Sequence, residues 1–391
     1  MQTIWNLLGT LLTLAALPGT LELAFLTLSG AAPRRPGHAP TPAAPLRLCV
    51  VVPAHNEENG IADCVASLRA CETGIHAVSV AVVADNCTDS TAERAQAAGA
   101  RVLERQHDAL RGKGYALDYA FSVLLPEGHD AFLIVDADTA VEANFIQAAA
   151  ALFGEGVDAL QCRYLAGNAG DSIRARLQQV AWLAFNILRL RGREYWGLSV
   201  GILGNGFGLS RGVLEQIPFD AGSIAEDLEY HLRLVRAGRR VRFCEATTVW
   251  SAVPSQGAAA AGQRARWEGG RFRMIREQAL PLAWEVAQGR WRLLEPLLEL
   301  LLLPLAFHVC LLLGLLAVPF PAGRLFALAG LGWVGLHVAA ALVVGRAGWR
   351  DVLALFGAPF YIVWKLTLGR RLLKSARAEA AWERTDRSGP V

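Results

Sequence analysis

Asp136 and Asp138 stand two positions apart, directly after the apolar run 131–135. At a strand end, such a pair can reach one hard divalent cation that also bridges phosphate oxygens. It serves equally well as a turn, with aspartate as an Asx or capping residue. Glu226-Asp227 opens a helix expected through residue 237, after the turn Ser223-Ile224-Ala225. The pair either caps that helix or supplies a general base, which must come within hydrogen-bond reach of an attacking hydroxyl. Arg111-Gly112-Lys113-Gly114 is a flexible basic loop before a helix N-terminus, suited to phosphate oxygens or simply solvated. Its spacing is not that of a P-loop. Gly204-Asn205-Gly206 is either a backbone-rich loop that touches an acceptor or a tight turn. Downstream, Gln263, Arg266 and Trp267 spell Gln-x-x-Arg-Trp. On a helix, Gln263 and Trp267 share a face with Arg266 beside them. An amide, a guanidinium and an indole on one patch suit a diphosphate and a sugar ring. With Arg264, Arg271, Arg273 and Arg276 close by, the alternative is a basic interfacial helix.

The elements that position these groups follow from the hydrophobic pattern. Strands are expected at 48–52, 78–84, 100–104 and 131–135, and helices from the 53–58 loop through 68, at 92–98 and at 115–125. Strands alternating with helices argue for a mostly parallel α/β sheet covered on both faces. Ligands of such sheets sit at the carboxyl ends of the strands. Glu57, Asp85, Asp136 and Asp138 all fall just past strand ends and should converge on one crevice.

The 391 residues are 53% hydrophobic and 19% charged, more apolar than an ordinary soluble enzyme, in which about a quarter are charged. A formal net charge of +3 implies no nucleic-acid partner. The seven cysteines show no Cys-x-x-Cys spacing and read as free thiols of a reducing compartment. Residues 4–28 are uncharged apart from Glu22, long enough to cross a bilayer, and lack the basic start of a cleaved signal. Arg34 and Arg35 follow this run, which puts the N-terminus outside and the next domain in the cytoplasm. Residues 300–320 and 325–345 read as two further spans joined by Pro321-Ala322-Gly323-Arg324. Residues 352–364 read as an interfacial or re-entrant helix, with a third C-terminal span as the alternative, and the basic tail reads as cytoplasmic. His308 and His337, inside spans, are packing residues. Residues 171–195, rich in arginine and aromatics, suggest an amphipathic helix near the headgroups, or an ordinary helix on a domain face. The resulting organisation is an N-terminal transmembrane helix (1–30), a linker (31–45) and a cytoplasmic catalytic domain (46–260). Interfacial helices (261–294), a hairpin with an interfacial or re-entrant helix (295–369) and a cytoplasmic tail (370–391) follow.

The combination Val52-Pro53-Ala54-His55-Asn56-Glu57-Glu58, Asp85 with Asp89, Lys113, Asp136-Ala137-Asp138, Glu226-Asp227 and Gln263-Arg264-Ala265-Arg266-Trp267 resembles membrane-embedded family 2 glycosyltransferases of the cellulose synthase and hyaluronan synthase type. One departure is that the family's Asp-Asp-Gly is here Ala84-Asp85-Asn86. The resemblance implies a GT-A fold, a UDP-sugar donor of the UDP-GlcNAc or UDP-Glc type, Mg²⁺ or Mn²⁺, and inverting single displacement that builds β-linked polysaccharide. Asp227, with Glu226 beside it, is then the base, and Asp138 with Asp136 the metal site. The donor is assigned to Pro53, Glu57, Asp85, Lys113, Asp136, Gln263, Arg266 and Trp267, and the acceptor to Gly204, Asn205, Gly206 and Trp267. The implied partners are the donor, a glycan or lipid acceptor and the lipid bilayer of the plasma (inner) membrane. Transfer of a single sugar to a lipid is the first alternative. A catalytically idle sugar-nucleotide sensor or export partner is the second, although Asp136, Asp138 and Asp227 are all retained. A dinucleotide dehydrogenase is disfavoured, because no Gly-x-Gly-x-x-Gly follows the first strand.

Overall fold

The computed structural model describes residues 1–33, 44–220, 225–254 and 257–367. Most of the linker, Ser223-Ile224 and the basic tail with Arg370, Arg371 and Lys374 lie outside the described residues, as do Arg34 and Arg35. In chain order the elements are α1 (Gln2–Ala31), β1 (Arg47–Ala54), α2 (Ile61–Arg69), β2 (Ala77–Asp85), α3 (Thr91–Ala97), β3 (Arg101–Arg105), α4 (Lys113–Leu124) and β4 (Ala131–Ile134). There follow β5 (Thr139–Val141), α5 (Phe145–Gly154), β6 (Ala159–Ala166), α6 (Ile173–Trp182), α7 (Arg189–Tyr195), β7 (Phe207–Ser210), α8 (Arg211–Gln216), α9 (Glu226–Arg236) and β8 (Val241–Ser251). The last are α10 (Gly257–Ala287), α11 (Leu294–Leu301), α12 (Leu305–Ala317), α13 (Pro321–Val344), α14 (Trp349–Ala354) and α15 (Ala358–Thr367). They form two compact units, and the segment 170–198, with α6 and α7, groups with the helical unit rather than with the sheet.

The sheet unit has eight strands in the order β3-β2-β1-β4-β7-β6-β8-β5. The expected mostly parallel sheet is in fact mixed. β3, β2, β1 and β4 run parallel, but β7 is antiparallel to both β4 and β6, β8 is parallel to β6, and β5 is antiparallel to β8. β1 is apolar on both faces, as a central strand covered on both sides must be. Leu48, Val50 and Val52 join a core with Ile61, Val65 and Leu68 of α2 and Ile146, Ala149 and Phe153 of α5. Elsewhere in the unit, Phe121 of α4 meets Phe132 edge-on at 5.5 Å and Phe219 at 5.8 Å.

Among the described residues, two helices are long and apolar enough to cross a membrane, α1 with 30 residues and α13 with 24. The expected single span over 300–320 is not one helix: α11 and α12 meet at a 77° bend. Pro304 stands at the break, where a proline ring and its missing N–H end a helix. The 13 residues of α12 extend about 20 Å, short of the ~30 Å apolar layer. Pro321-Ala322-Gly323-Arg324 is the first turn of α13, with Pro321 at a favoured N-terminal position, and not a free linker. Ala16 of α1 packs with Leu312 and Leu315 of α12 and Ala327 of α13. His308 and His337 are buried and bonded to Thr20 Oγ1 at 3.2 Å and Thr27 Oγ1 at 2.8 Å, as packing histidines should be.

Arg189 and Arg193 do not face headgroups. Both are buried around Glu22 of α1, where Arg193 Nη2 donates at 3.0 Å and Arg189 Nη2 at 3.4 Å. Arg189 and Arg193 also donate to Glu299, Arg193 donates to Glu295, and Arg271 Nη1 lies 3.4 Å from Glu299. The oxygens of Glu22, Glu295 and Glu299 are close enough together to ligate one ion. Three guanidinium groups already balance these three carboxylates, so the cluster reads as a neutral ionic knot and not as a cation site.

Candidate active site

β2, β1 and β4 are adjacent parallel strands whose carboxyl ends lie at one edge, with Ala54 opposite Ala84 and Val51 opposite Ile134. This register brings the loops after Pro53, Asp85 and Val135 together. The first two loops are stitched to each other. Thr88 N donates to Asn56 Oδ1 at 2.8 Å, Glu57 N to Thr91 Oγ1 at 2.8 Å, and Glu58 N to Asp89 Oδ2 at 3.2 Å. Asp89 also accepts from Thr91 N at 3.1 Å, so it braces the loops. His55 Nδ1 donates to the Asp85 carbonyl at 2.7 Å. Pro53 lies at the end of β1 opposite Val83.

Asp85 is buried and paired with Arg105, whose Nη1 donates to Oδ1 at 2.6 Å. Asn86, which replaces the family's second carboxylate, donates from Nδ2 to the same Oδ1 at 3.0 Å and accepts His107 N at 2.8 Å. The sequence reading missed Arg105. Its signal lay in strand register, since Arg105 is directly opposite Asp85 at the end of β3.

Lys113, the first residue of α4, donates from Nζ to Asp136 Oδ1 and to the Gly204 carbonyl. Burial alone would lower its pKa, but the charges of Asp136, Glu226 and Asp227 outweigh that and raise it. Arg111 is exposed and 3.9 Å from Asp108. Gly204 has φ +80° and Gly206 φ +66°, both in the left-handed region that favours glycine. A Cβ on Gly204 would sit 3.2 Å from Asp227 Oδ2, so the loop backbone closes directly on that carboxylate. Asn205 is 1% exposed, donates to Thr139 Oγ1 at 2.8 Å and Ser251 Oγ at 2.9 Å, and accepts Asp136 N at 3.0 Å. Its side chain therefore fastens the Asp136 turn, which leaves the backbone of the 204–206 loop for contact with an acceptor.

Glu226 and Asp227 are the first two residues of α9, and Asp227 Oδ1 accepts its neighbour's N–H, Leu228 N, at 2.8 Å. Burial, then the charge of Asp227, pushes Glu226 up to about 8. Burial also raises Asp227, opposed by the Leu228 hydrogen bond and by Lys113. Side by side, the two carboxylates titrate as a pair. Asp227, with the lower intrinsic pKa and the N–H bond, keeps the negative charge while Glu226 holds a proton.

Asp138 follows Asp136 across buried Ala137 and is half-buried on the same turn. Asp136, Glu226 and Asp227 all act on the ammonium of Lys113, so the carboxylates outnumber that cation; burial is the main cause of the raised Glu226 and Asp227, and neighbouring carboxylates add to it. A site of hard oxygen donors with surplus negative charge suits a divalent ion. Asp138, with Asp136, would hold it. Gln263, Arg266 and Trp267 lie on α10 of the helical unit, with Gln263 buried, Trp267 42% exposed, and the Trp267 ring 6.2 Å from Trp182.

A model of the glycosyltransferase-like family 2 matches residues 45–270, more than half of the chain. The chain belongs to this glycosyltransferase family. It is 25% identical over 233 residues, 57% of its length, to the probable glycosyltransferase YdaM of Bacillus subtilis, of which 55% is covered. Over 74 residues, 19% of the chain, it is 43% identical to the low-salt glycan biosynthesis hexosyltransferase Agl6 of Haloferax volcanii, of which 17% is covered. The transferase thus spans about half or less of these two relatives. In structure it is similar to the mannosyltransferase PcManGT of Pyrobaculum calidifontis in complex with GDP-Man and Mn²⁺, with TM-score 0.55, 19% identity, and coverage of 96% of this chain and 100% of that one. That similarity supports a GT-A-like, Rossmann-type mixed-sheet fold.

Proposed function

We propose that this glycosyltransferase is an integral membrane enzyme that inverts a UDP-sugar, of the UDP-GlcNAc or UDP-Glc type, to form β-glycosidic bonds on a polysaccharide. The observation that carries this reading is the closure of the Gly204 backbone on Asp227, beside the Lys113–Asp136 pair. Asp227 takes the proton of the acceptor hydroxyl as that oxygen attacks the anomeric carbon. Glu226, protonated beside it, keeps the pair from carrying two negative charges. Lys113 offers its ammonium to the departing diphosphate. Asp85, with Arg105, faces the nucleobase, and Pro53, Glu57 and Asp136 complete the nucleoside side of the donor. Asp138 and Asp136 would hold a divalent ion, which would supply charge stabilisation for the leaving group. By the family resemblance, Gln263 and Arg266 serve the diphosphate, and Trp267 and the 204–206 loop serve the acceptor. α1 and α13 anchor the enzyme, with the sheet unit in the cytoplasm.

A guanosine donor is the second reading, motivated by the GDP-Man in the Pyrobaculum mannosyltransferase. A screen of purified protein in nanodiscs, with UDP-Glc, UDP-GlcNAc and GDP-Man and Mn²⁺ or Mg²⁺, decides between them. Nucleoside diphosphate release identifies the donor, product mass separates chain building from single transfer to lipid, and anomeric NMR reports the linkage. An α-linked product rejects inversion, and no turnover of any donor rejects the catalytic reading.

A further inference from the structure

α10 carries a second charged face that the transfer chemistry does not use. Glu268 directly follows Trp267, and both its carboxylate oxygens are buried. The ammonium of Lys365, on α15, stands 2.5 Å from Glu268 Oε1, and both side chains are 6% exposed. One turn earlier, Arg264 Nη2 donates to Tyr361 Oη of α15 at 2.7 Å and to Gln178 Oε1 of α6. Between these polar links, Ala261 and Ala265 are small enough for Trp364 of α15 and Phe307 of α12 to pack against α10.

Arg264 and Glu268 are interleaved along the helix with Gln263, Arg266 and Trp267. Shifting α10 by one residue would rotate it by about 100° and slide it by about 1.5 Å. That shift would part the buried Lys365 ammonium from Glu268, whose other charged neighbour, Arg264 with Nε at 3.9 Å, moves with the same helix, and an unpaired buried charge is penalised heavily. The pair therefore selects one rotation and one height of α10, and the same rotation sets the direction in which Trp267 points. We propose that Lys365 is a positioning residue for glycosyl transfer: through Glu268 it locks α10 in the register that presents Gln263, Arg266 and Trp267. The proposal rests on the assignment of those three residues to the reaction.

Lys365→Met keeps the length of the side chain and removes its charge. With the donor that the wild type turns over in the screen above, kcat should fall about 10- to 100-fold, the cost of a misplacement of about 1 Å. Donor KM should rise and Mn²⁺-dependent binding of the matching nucleoside diphosphate should weaken in step, because Gln263 and Arg266 serve the diphosphate. Lys365→Arg should restore most of kcat. The charge-swapped double variant Glu268→Lys/Lys365→Glu should exceed either of its single components. Wild-type kcat in Lys365→Met, or a swapped variant no better than the worse single, overturns the proposal. Should Lys365→Met fail to fold, Lys365→Arg and the swapped pair decide: near-wild-type kcat in the first and rescue in the second support it, and loss in both overturns it. Trp267→Ala, assayed in parallel, separates two failures. Full turnover there defeats the assignment of the motif, whereas loss there beside full turnover in Lys365→Met defeats only the positioning role.

Discussion

Asp227→Asn is the substitution that bears most directly on the proposed chemistry. The replacement is nearly isosteric, and its amide oxygen can still accept Leu228 N at 2.8 Å, so the first turn of α9 keeps its geometry. Lys113 keeps Asp136 and the Gly204 carbonyl, so the donor side is undisturbed. What disappears is the proton acceptor beside Gly204. Removing a general base costs about 10²–10⁴ in rate. At about 1.36 kcal/mol per decade, that is roughly 3–5 kcal/mol of barrier. Nucleoside diphosphate release under saturating donor and acceptor measures kcat, and calorimetry with UDP or GDP and Mn²⁺ measures donor-side binding. We expect kcat to fall by that factor while nucleotide affinity stays within a few-fold. The wild-type pH profile should lose activity on its acid side above the ordinary aspartate range, because burial raises Asp227. Wild-type turnover in Asp227→Asn would refute the assignment. Loss of nucleotide binding in step with turnover would refute it as well, since the carboxylate would then be holding the fold of the site.

Three further outcomes follow from the same geometry. EDTA should abolish turnover and Mn²⁺ or Mg²⁺ restore it, and Asp138→Asn should lose metal-dependent nucleotide binding; full activity in chelator rules the metal out. Glu226→Gln should stabilise the metal-free protein against heat, with a gain that is absent below pH 4.5, grows through the interval to pH 8 and levels off above it. Glu226 is pushed up to about 8, so between those limits the native state holds a proton the unfolded chain has lost, and wild-type stability falls as pH rises. A pH-independent gain contradicts that linkage. Arg193→Met should cost about 3–5 kcal/mol, because it leaves Glu22, Glu295 and Glu299 facing two guanidinium groups in a buried site. A thiol-reactive dye can follow the unfolding, since all seven cysteines are free and five are buried; an unchanged midpoint would mean the knot contributes nothing.

Half of the sheet was legible from sequence because β1, β2 and β4 are apolar runs that end at carboxylates, and parallel pairing aligns those ends. The other half was not. β7 has four residues and β5 three, too short to show a period, and their antiparallel pairing with β4 and β8 is set by partners many residues away. The same distance hid Arg105, which meets Asp85 through strand register, and the side chain of Asn205, which bonds Thr139 and Ser251 from far along the chain.

In the helical unit, composition identified α1 and α13, but an uncharged run says nothing of where its backbone bends, and Pro304 divides the expected span. The arginines of α7 read as headgroup-facing because arginine clusters beside apolar helices usually are. Yet the chain did announce their partner. Glu22 is the lone carboxylate of an apolar run, and an unpaired charge there costs several kcal/mol, so it must face protein and find a cation. Arg189 and Arg193 are four residues apart, one helical turn, and can close on a single carboxylate from one face. A charge isolated within an apolar helix therefore calls for a partner elsewhere in the chain, but other basic pairs, such as Arg236/Arg240 and Arg346/Arg350, share the four-residue spacing, and it is the tertiary fold that brings Arg189 and Arg193 to Glu22.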